Sequence, residues 1–447
     1  MDVLRQIRNV FAFGLGRQRV QIGEFDIEAV RVTHSVPDAV GLIARTASAT
    51  MVHTGDFKLD DSPTDGLKTD LERLGEAGER GVDLLMSDST NADVPGQSRS
   101  EARVQAAFER LVSQATGRVA IAMFGSHLHR VSHTMALAEK LNRKVVLLGR
   151  SLQRNVSLAR EAGLLTLPDE LVIEPEFARQ LPPNKLLIVC TGAQAEVRSG
   201  LSNLSSPEPG PLRLQAGDTA LISARTIPGN EPAVSQLVDR LLALGVNVIT
   251  ASQEPDIHVS GHAARDEQRK MIDTVRPRHF VPIHGERRHL LRHLEVAREA
   301  GLLGSQLSLM TDGSALAVDV SAVHELPSLT IGRKLMRREG LGEITPEVLA
   351  ERRFLAEGGL VVVLVVLKHG SGDLVGTPTA HGQGLQSDES AVLSVVAENV
   401  RAALADMAPS LRTDDAKVRE DVVRATRKVF RQLLGARPTV MPLIVRV

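Results

Sequence analysis

The chain has no tryptophan and no tyrosine, and only 10 phenylalanines among its 447 residues. Platforms that stack splayed bases need aromatic faces, so their scarcity argues against base readout of single strands as the main function. One cysteine, Cys190, excludes a disulfide framework and fits a reducing compartment. Set in KLLIVCTG, it reads as a buried strand thiol. No apolar run approaches the roughly 20 residues of a membrane span. The longest, LVVVLVVL at 360–367, has the length and β-branching of a strand. The opening MDVLRQIRNVFAFGLG is amphipathic at best and lacks the apolar core and cleavage site of a secretory signal. A cytoplasmic protein without a membrane partner is the expectation. A net charge of −1 supplies no global field toward a polyanion, so any such site has to be local.

What is present is ordinary globular usage, 43% apolar and 24% charged, in a chain long enough for about two or three domains. From 20 to 56 the pattern is β, with VQIG, FDIEAVRV and TMVHTG between turn residues. LERLGEAGERG predicts a helix leading into the strand VDLLMSD, and SRSEARVQAAFERLVSQAT a helix capped by Ser100. From 118 onward, apolar strands alternate with helices: GRVAIAMFGS, RKVVLLGRS, KLLIVCTGAQ, TALISARTIPGNE and VNVITAS. Such continuous runs describe a parallel sheet covered on both faces, with ligands at the carboxyl ends of its strands. RKLMRREGLGEITPEVLAERR reads as a connector. The tail reads as a small α/β unit whose last helix lines up Val418, Val422, Ala425, Val429 and Leu433.

Three residues combine metal-ligand chemistry with the exit of an apolar strand: His34 in VTHSVPD, Asp56 in HTGDF and His284 in VPIHGER. Each alone reads better as a turn residue. Together, donors at neighbouring strand ends are how a rigid sheet presents a metal site. HVSGH, residues 258–262, suits a phosphate through Ser260, His258 and backbone N–H groups, and His262 titrates near neutrality and can pass a proton. HLHRVSH at 127–133 looks like an H-x-H metal motif but has no acid, and Arg130 pointing inward would repel a cation. Ser126, His127 and His129 are better suited to phosphate or sugar. The pair His289 and His293, among Arg287, Arg288 and Arg292, reads as a solvated basic helix face.

In order, THSVPDAVGL, VHTGDFKLD, SDSTNA, GRS with RN close behind, IPGNE, HVSGHA and PIHGE resemble ribonuclease J, in the β-CASP branch of the metallo-β-lactamase-fold nucleases. The resemblance runs over essentially the whole chain. It implies an α/β fold: an incomplete metallo-β-lactamase-like αββα sandwich with an inserted β-CASP parallel-sheet domain and a small α/β C-terminal domain. The implied boundaries are 1–98 and 256–325 for the sandwich, 99–255 for the insertion, 326–357 for a linker and 358–447 for the last domain. It further implies zinc-dependent hydrolysis of RNA by 5′-exonucleolytic and endonucleolytic cleavage, with two zinc ions per chain. His34, Asp56 and His284 look like metal ligands, with Asp56 matching the bridging carboxylate. Asp88 and His262 match catalytic positions. Ser126, His127, His129, His258, Val259, Ser260, Gly261 and His262 match segments that hold the RNA. The implied partners are 5′-monophosphorylated RNA and further copies in a homodimer or homotetramer.

The resemblance also has a gap. The H-x-H-x-D-H stretch that supplies most zinc ligands in the family is absent, and the first histidine is His34. FGSHLHR and TGAQAEVRSGL depart from the family's FASNIHR and TGSQGEPMSAL. The expectation is a chain truncated at its N-terminal side, with little nuclease activity alone. A non-catalytic RNA-binding or dimerising paralogue is the alternative, and a DNA-processing β-CASP nuclease a third reading that HVSGHA disfavours.

Overall fold

The computed structural model describes residues 19–447 apart from 169, 209, 320–321, 333, 337–341 and 386–388. The amphipathic opening segment lies outside the described residues. Two compact units are present, one running to Ile331 and one from Gly332 to Val447. Among the described residues no helix is long and apolar enough to cross a membrane.

The first unit begins with a six-stranded mixed sheet: β1 (Arg19–Ile22), β2 (Phe25–Arg31), β3 (Val40–Arg45), β4 (Thr50–His53), β5 (Leu84–Asp88) and a returning strand, His279–Ile283. Strands β1 to β4 pair antiparallel, while β4, β5 and His279–Ile283 pair parallel. By that pairing β2, β4, β5 and His279–Ile283 run in one direction, so four carboxyl ends share one edge. The strand β3, formed by VGLIAR, was not singled out by the sequence pattern. Val30, Ile43, Val52, Leu85 and Phe280 pack against helices Leu71–Arg80, Arg265–Val275 and Arg287–Glu299. Among the described residues this lobe shows one sheet, followed by the short antiparallel pair Ala315–Val318 and Val323–Leu326.

Between β5 and the returning strand lies the expected parallel sheet: β6 (Val119–Ala122), β7 (Lys144–Leu148), β8 (Leu186–Cys190), β9 (Thr219–Ile222) and β10 (Asn247–Thr250). Its order is β10-β9-β6-β8-β7. Alternate residues feed two cores, because strand side chains repeat with a period of two. Val119, Ile121, Val145 and Val189 face helices Glu101–Gln114, Leu128–Lys140 and Arg150–Glu161. Ala120, Ala122, Val146 and Ile188 face Leu237 and Leu241 of helix Glu231–Ala243. Ser100 caps helix Glu101–Gln114 as expected, its hydroxyl accepting from the Ala102 N–H. Cys190 is buried and free, and burial pushes its thiol well above the usual range.

In the second unit the strand Leu360–Leu367 lies between Thr379–Gln383 and Thr439–Arg446. Val361, Val363, Val365 and Leu367 pack on Val396, Val400, Val418 and Val422. Two expectations need correction here. Leu433 is 55% exposed, because the whole last turn of helix Asp415–Leu434 projects past the core, and Phe430 is buried in its stead. The expected connector is not simply a linker: it holds a short pairing of Leu335–Met336 with Glu343–Ile344, and the helix Pro346–Gly358 begins within it and runs into the last domain.

Glu28, on the sheet face that meets the helices, is only 1% exposed. Its carboxylate accepts from Arg73 Nη2 at 2.6 Å and Arg45 Nη1 at 2.9 Å, with Arg73 Nε as a further donor. Burial would raise this carboxyl, but the hydrogen bonds and charges of Arg73 and Arg45 outweigh it and hold the pKa at about 2. The contribution to stability is complete above the ordinary value of 4.5 and is lost as pH falls toward about 2. Replacing Arg73 with Met leaves Arg45 as the remaining hydrogen-bonded partner of the buried Glu28 carboxylate, so urea denaturation at pH 7 is expected to show a loss of about 1.5–3 kcal/mol. The deficit should shrink as the pH is lowered through that window.

Candidate metal and phosphate site

The four co-directional strands end in site residues. His34 lies three residues beyond β2, Asp56 three beyond β4, Asp88 closes β5, and His284 follows the returning strand. The turn carrying Asp56 is built by its neighbours. His53 Nδ1 accepts from the Gly55 N–H at 3.0 Å, and Thr54 Oγ1 accepts from the Asp88 N–H at 3.1 Å while donating to Gly55 O. Gly55 has φ +62°, and a Cβ there would meet Val40 O at 2.4 Å. His284 adopts φ +53°, the left-handed region that a non-glycine residue enters at a cost.

The two oxygens of Asp56 face different imidazoles, Oδ2 lying 3.8 Å from His34 Nε2 and Oδ1 3.6 Å from His284 Nε2. Ligands of a tetrahedral zinc, at about 2.0–2.1 Å from the ion, stand roughly 3.3 Å apart, so these spacings are close to those of coordination. His34 Nδ1 lies 2.8 Å from Gly261 O, and donating there leaves the Nε2 lone pair toward Asp56, where the Ser35 hydroxyl, 3.2 Å away, donates to it and would have to turn aside for a metal. Burial lowers the His34 pKa, which favours that neutral form. Between the two imidazoles sits His262, its ring centroid 4.9 Å from His34 and 5.4 Å from His284. Donor atoms of His34, Asp56 and His262 lie within 4.8 Å of one another, as do those of Asp88, His262 and His284.

His262 Nδ1 donates to Asp88 Oδ2 at 2.6 Å. Burial would lower the His262 pKa, but the hydrogen bond and charge of Asp88 override it and raise the value. Burial would likewise raise Asp88, yet His262 and the Thr90 donors hold it below the usual carboxylate range. The charged pair exists between these two values and is lost on either side: below by protonation of Asp88, above by deprotonation of His262. Asn91, inside the quoted SDSTNA motif but given no role from sequence, donates to Ser260 Oγ at 2.8 Å and His262 O at 2.9 Å.

The residues expected to hold RNA divide. Ser126 is exposed and His129 half-buried, 3.8 Å from Asp65. Ser260 and His258 line a cleft of about 780 Å³ with Ser98, Arg225 and Thr226. His127 and Val259 turn inward, at 6% and 4% exposure, so their side chains are not presented to a polymer. His127 points Nε2 toward Glu101, 3.9 Å away, and burial beside Arg130 drives its pKa well down. Arg130 does point inward, but its charge is met by Glu101 through bonds of 2.6 and 2.8 Å. It also donates to Ser223 O, Ser223 Oγ and His258 Nδ1. The His289–His293 reading needs correction as well: His293 is fully buried, because position 293 faces Phe280 and Ser89 in the helix–sheet core. Only Ser89, more than 200 residues earlier, explains a polar group there.

Comparisons with known proteins follow the same segments. "Ribonuclease J, beta-CASP domain" matches residues 116–241, "Zn-dependent metallo-hydrolase RNA specificity domain" residues 255–303, and "Ribonuclease J C-terminal domain" residues 347–447. The Ribonuclease J of Helicobacter pylori is 37% identical over 363 residues, which are 81% of this chain and 52% of that protein. That of Synechocystis sp. is 37% identical over 370 residues, 83% and 57% of the two chains. That of Mycolicibacterium smegmatis is 34% identical over 431 residues, 96% and 77%. The chain spans about half the length of the first two relatives.

Gly261 is the tightest glycine contact with a candidate ligand, since a Cβ there would meet His34 Cε1 at 2.9 Å and Nδ1 at 3.0 Å. Gly261→Ala is therefore expected to displace the His34 ring and weaken Zn²⁺ binding about tenfold, read by a competing chelator. In the metal-free chain, Asp88→Asn should lower the His262 pKa, read by NMR titration of its ring protons.

Proposed function

The chain belongs to the ribonuclease J family, and on that premise we propose that its site hydrolyses RNA phosphodiester bonds with zinc held at Asp56. The observation that carries the reading is the placement of one imidazole against each oxygen of Asp56, beside the Asp88–His262 pair. Imidazole and carboxylate are zinc donors, and the Gly261 carbonyl fixes the His34 tautomer in the manner of an outer-shell partner. The residues present therefore fit the metal in kind. Zinc bound by His34, Asp56 and His284 would neutralise the scissile phosphate and acidify water.

The protein's own groups supply the rest. His262, kept protonated by Asp88, offers a proton from its ring to the leaving oxygen. Ser260, with the backbone of Gly261 and His262, lies where the phosphate backbone would be held, and Asn91 fixes that loop. His258 accepts from Arg130 at Nδ1, and burial with the nearby Arg130 charge brings its pKa down to about 3. It therefore contributes a neutral N–H donor. Ser126, exposed, and His129, half-buried, are the side chains of the 126–129 turn proposed to touch the RNA strand. We infer 5′-monophosphorylated RNA as substrate, attacked from its end or internally, in the cytoplasm where Cys190 stays reduced. Assembly as a homodimer or homotetramer draws support from the outer face of the C-terminal sheet, where Met441, Leu443 and Val445 are exposed. Sedimentation velocity tests it.

The donor set is small. With His262 Nδ1 committed to Asp88, each Asp56 oxygen has, among the described residues, one imidazole beside it, so three side chains stand where two ions would each take three or four donors. Weak metal loading and slow turnover by the 447-residue chain alone follow. The same scarcity favours the second reading, RNA binding without cleavage. Incubation of the chain with 5′-monophosphorylated RNA and excess Zn²⁺ or Mn²⁺ separates the two. Slow hydrolysis that chelation stops and Asp56→Asn reduces to background supports the enzyme, whereas retention of RNA with no cleavage supports the binder. Two tightly held zinc ions per chain by elemental analysis would overturn the weak-loading claim.

A further inference from the structure

Helix Arg287–Glu299 carries a polar side chain that the proposed reaction does not use. The His293 ring is completely buried and meets Phe280 edge-on, centroids 4.8 Å apart at 67°. Its Nδ1 lies 3.0 Å from Ser89 Oγ, and its Nε2 is buried with no hydrogen-bond partner. Burial holds the ring neutral, its pKa pushed down to about 3. A neutral ring has one N–H. Donation from Nδ1 to Ser89 Oγ, with the Ser89 hydroxyl donating on to Ser87 O at 3.3 Å, leaves no buried proton unpaired. The remaining lone pair on Nε2 still costs free energy that an aliphatic side chain in this apolar pocket would avoid. Besides the edge-on contact with Phe280, the hydrogen bond to Ser89 is what an imidazole gains here over a hydrocarbon.

Ser89 occupies the centre of the loop on which the site is assembled. Its N–H donates to Ile283 O at 2.9 Å, just ahead of His284. Asp88 before it holds His262. Thr90 after it donates its N–H to Asp88 Oδ1 at 3.0 Å, and its hydroxyl lies 2.7 Å from the same oxygen and 3.1 Å from His284 O. Asn91 reaches Ser260 and the His262 carbonyl. Three residues of the loop thus reach toward the site while the one among them that points into the core is held by His293.

We propose that His293 is a positioning residue: through Ser89 it sets the 88–91 loop, and with it the Asp88–His262 pair and the backbone carrying His284. The inference deepens the metal-centre reading, on which its consequence for zinc and RNA rests. The test uses the full chain with Ser89→Ala, His293→Leu, the double variant, and His293→Asn, whose amide can occupy the Nδ1 position. In the metal-free protein, amide hydrogen exchange at Ser89 and Thr90 should accelerate about tenfold in either single variant, no further in the double, and recover in His293→Asn. Zn²⁺ affinity should fall about 10–100-fold in the same pattern. If His293→Leu and His293→Asn lower the thermal midpoint alike while exchange at 89–90 and zinc affinity stay at the wild-type level in Ser89→Ala, His293 only fills space and the proposal is wrong. If the wild-type chain binds no zinc at all, the metal reading fails, and the exchange measurement still decides whether His293 sets the loop.

Discussion

Arg130 places a guanidinium inside the wall between the parallel sheet and the loop that carries His262. Taking such a cation out of water is costly, and only a complete set of acceptors makes it tolerable. Here the set is complete: both oxygens of Glu101, the carbonyl and hydroxyl of Ser223, Nδ1 of His258 and, at 3.5 Å, the Val259 carbonyl. The acceptors come from three places, the start of helix Glu101–Gln114, the end of β9 and the HVSGH segment. Their common donor therefore fixes the parallel sheet against the loop two residues before Gly261. Through the Gly261 carbonyl that position passes to His34, and through His262 to Asp88.

The opposite side of the site is fixed differently. There the constraint is the short loop after β5, where consecutive side chains serve separate partners. Glu267 adds a further anchor, accepting from the Leu59 N–H, the Ser98 N–H and hydroxyl, and the Ala264 N–H, so one buried carboxylate ties three segments together. The left-handed His284 is a strained residue held within this frame. Strain of that kind persists only where neighbours over-determine it, and the Thr90 hydroxyl close to its carbonyl is one such neighbour.

Patterns that repeat along the chain were legible. The alternation of Val119 to Ala122 and the continuous apolar run of Leu186 to Cys190 announce a sheet buried on both faces, and the five parallel strands lie where they were expected. The strand exits at His34, Asp56 and His284 were legible for the same reason, since a side chain just past a β-run lands on the rim. What could not be read is polarity inside a core. Arg130 looked like an obstacle because its own charge would repel a cation, and His293 like a solvated face because Arg287, Arg288 and Arg292 surround it in sequence. Their actual partners, Glu101 and Ser89, lie 29 and 204 residues away. Nor does helical spacing reveal where a core ends, so Leu433, in phase with Val429, lies beyond the packed region of its helix.

Charge in the site bears on how a nearly neutral chain would hold a polyanion. Arg130 is balanced by Glu101, and His127 and His258 are kept neutral by burial beside it, so the positive charge this wall adds comes from Arg225 and from Arg99, itself paired with Asp256. Across from it stand Asp56 and Asp88, with His262 as the cation between them. On the proposed reading, a phosphate entering the metal-free site meets more negative than positive charge, and a bound dication reverses that balance, being the largest local charge. Metal loading and RNA affinity are then coupled through Coulomb's law alone. The coupling needs no conformational change, because the imidazoles on either side of Asp56 are already oriented by the Gly261 carbonyl and by the left-handed turn at His284.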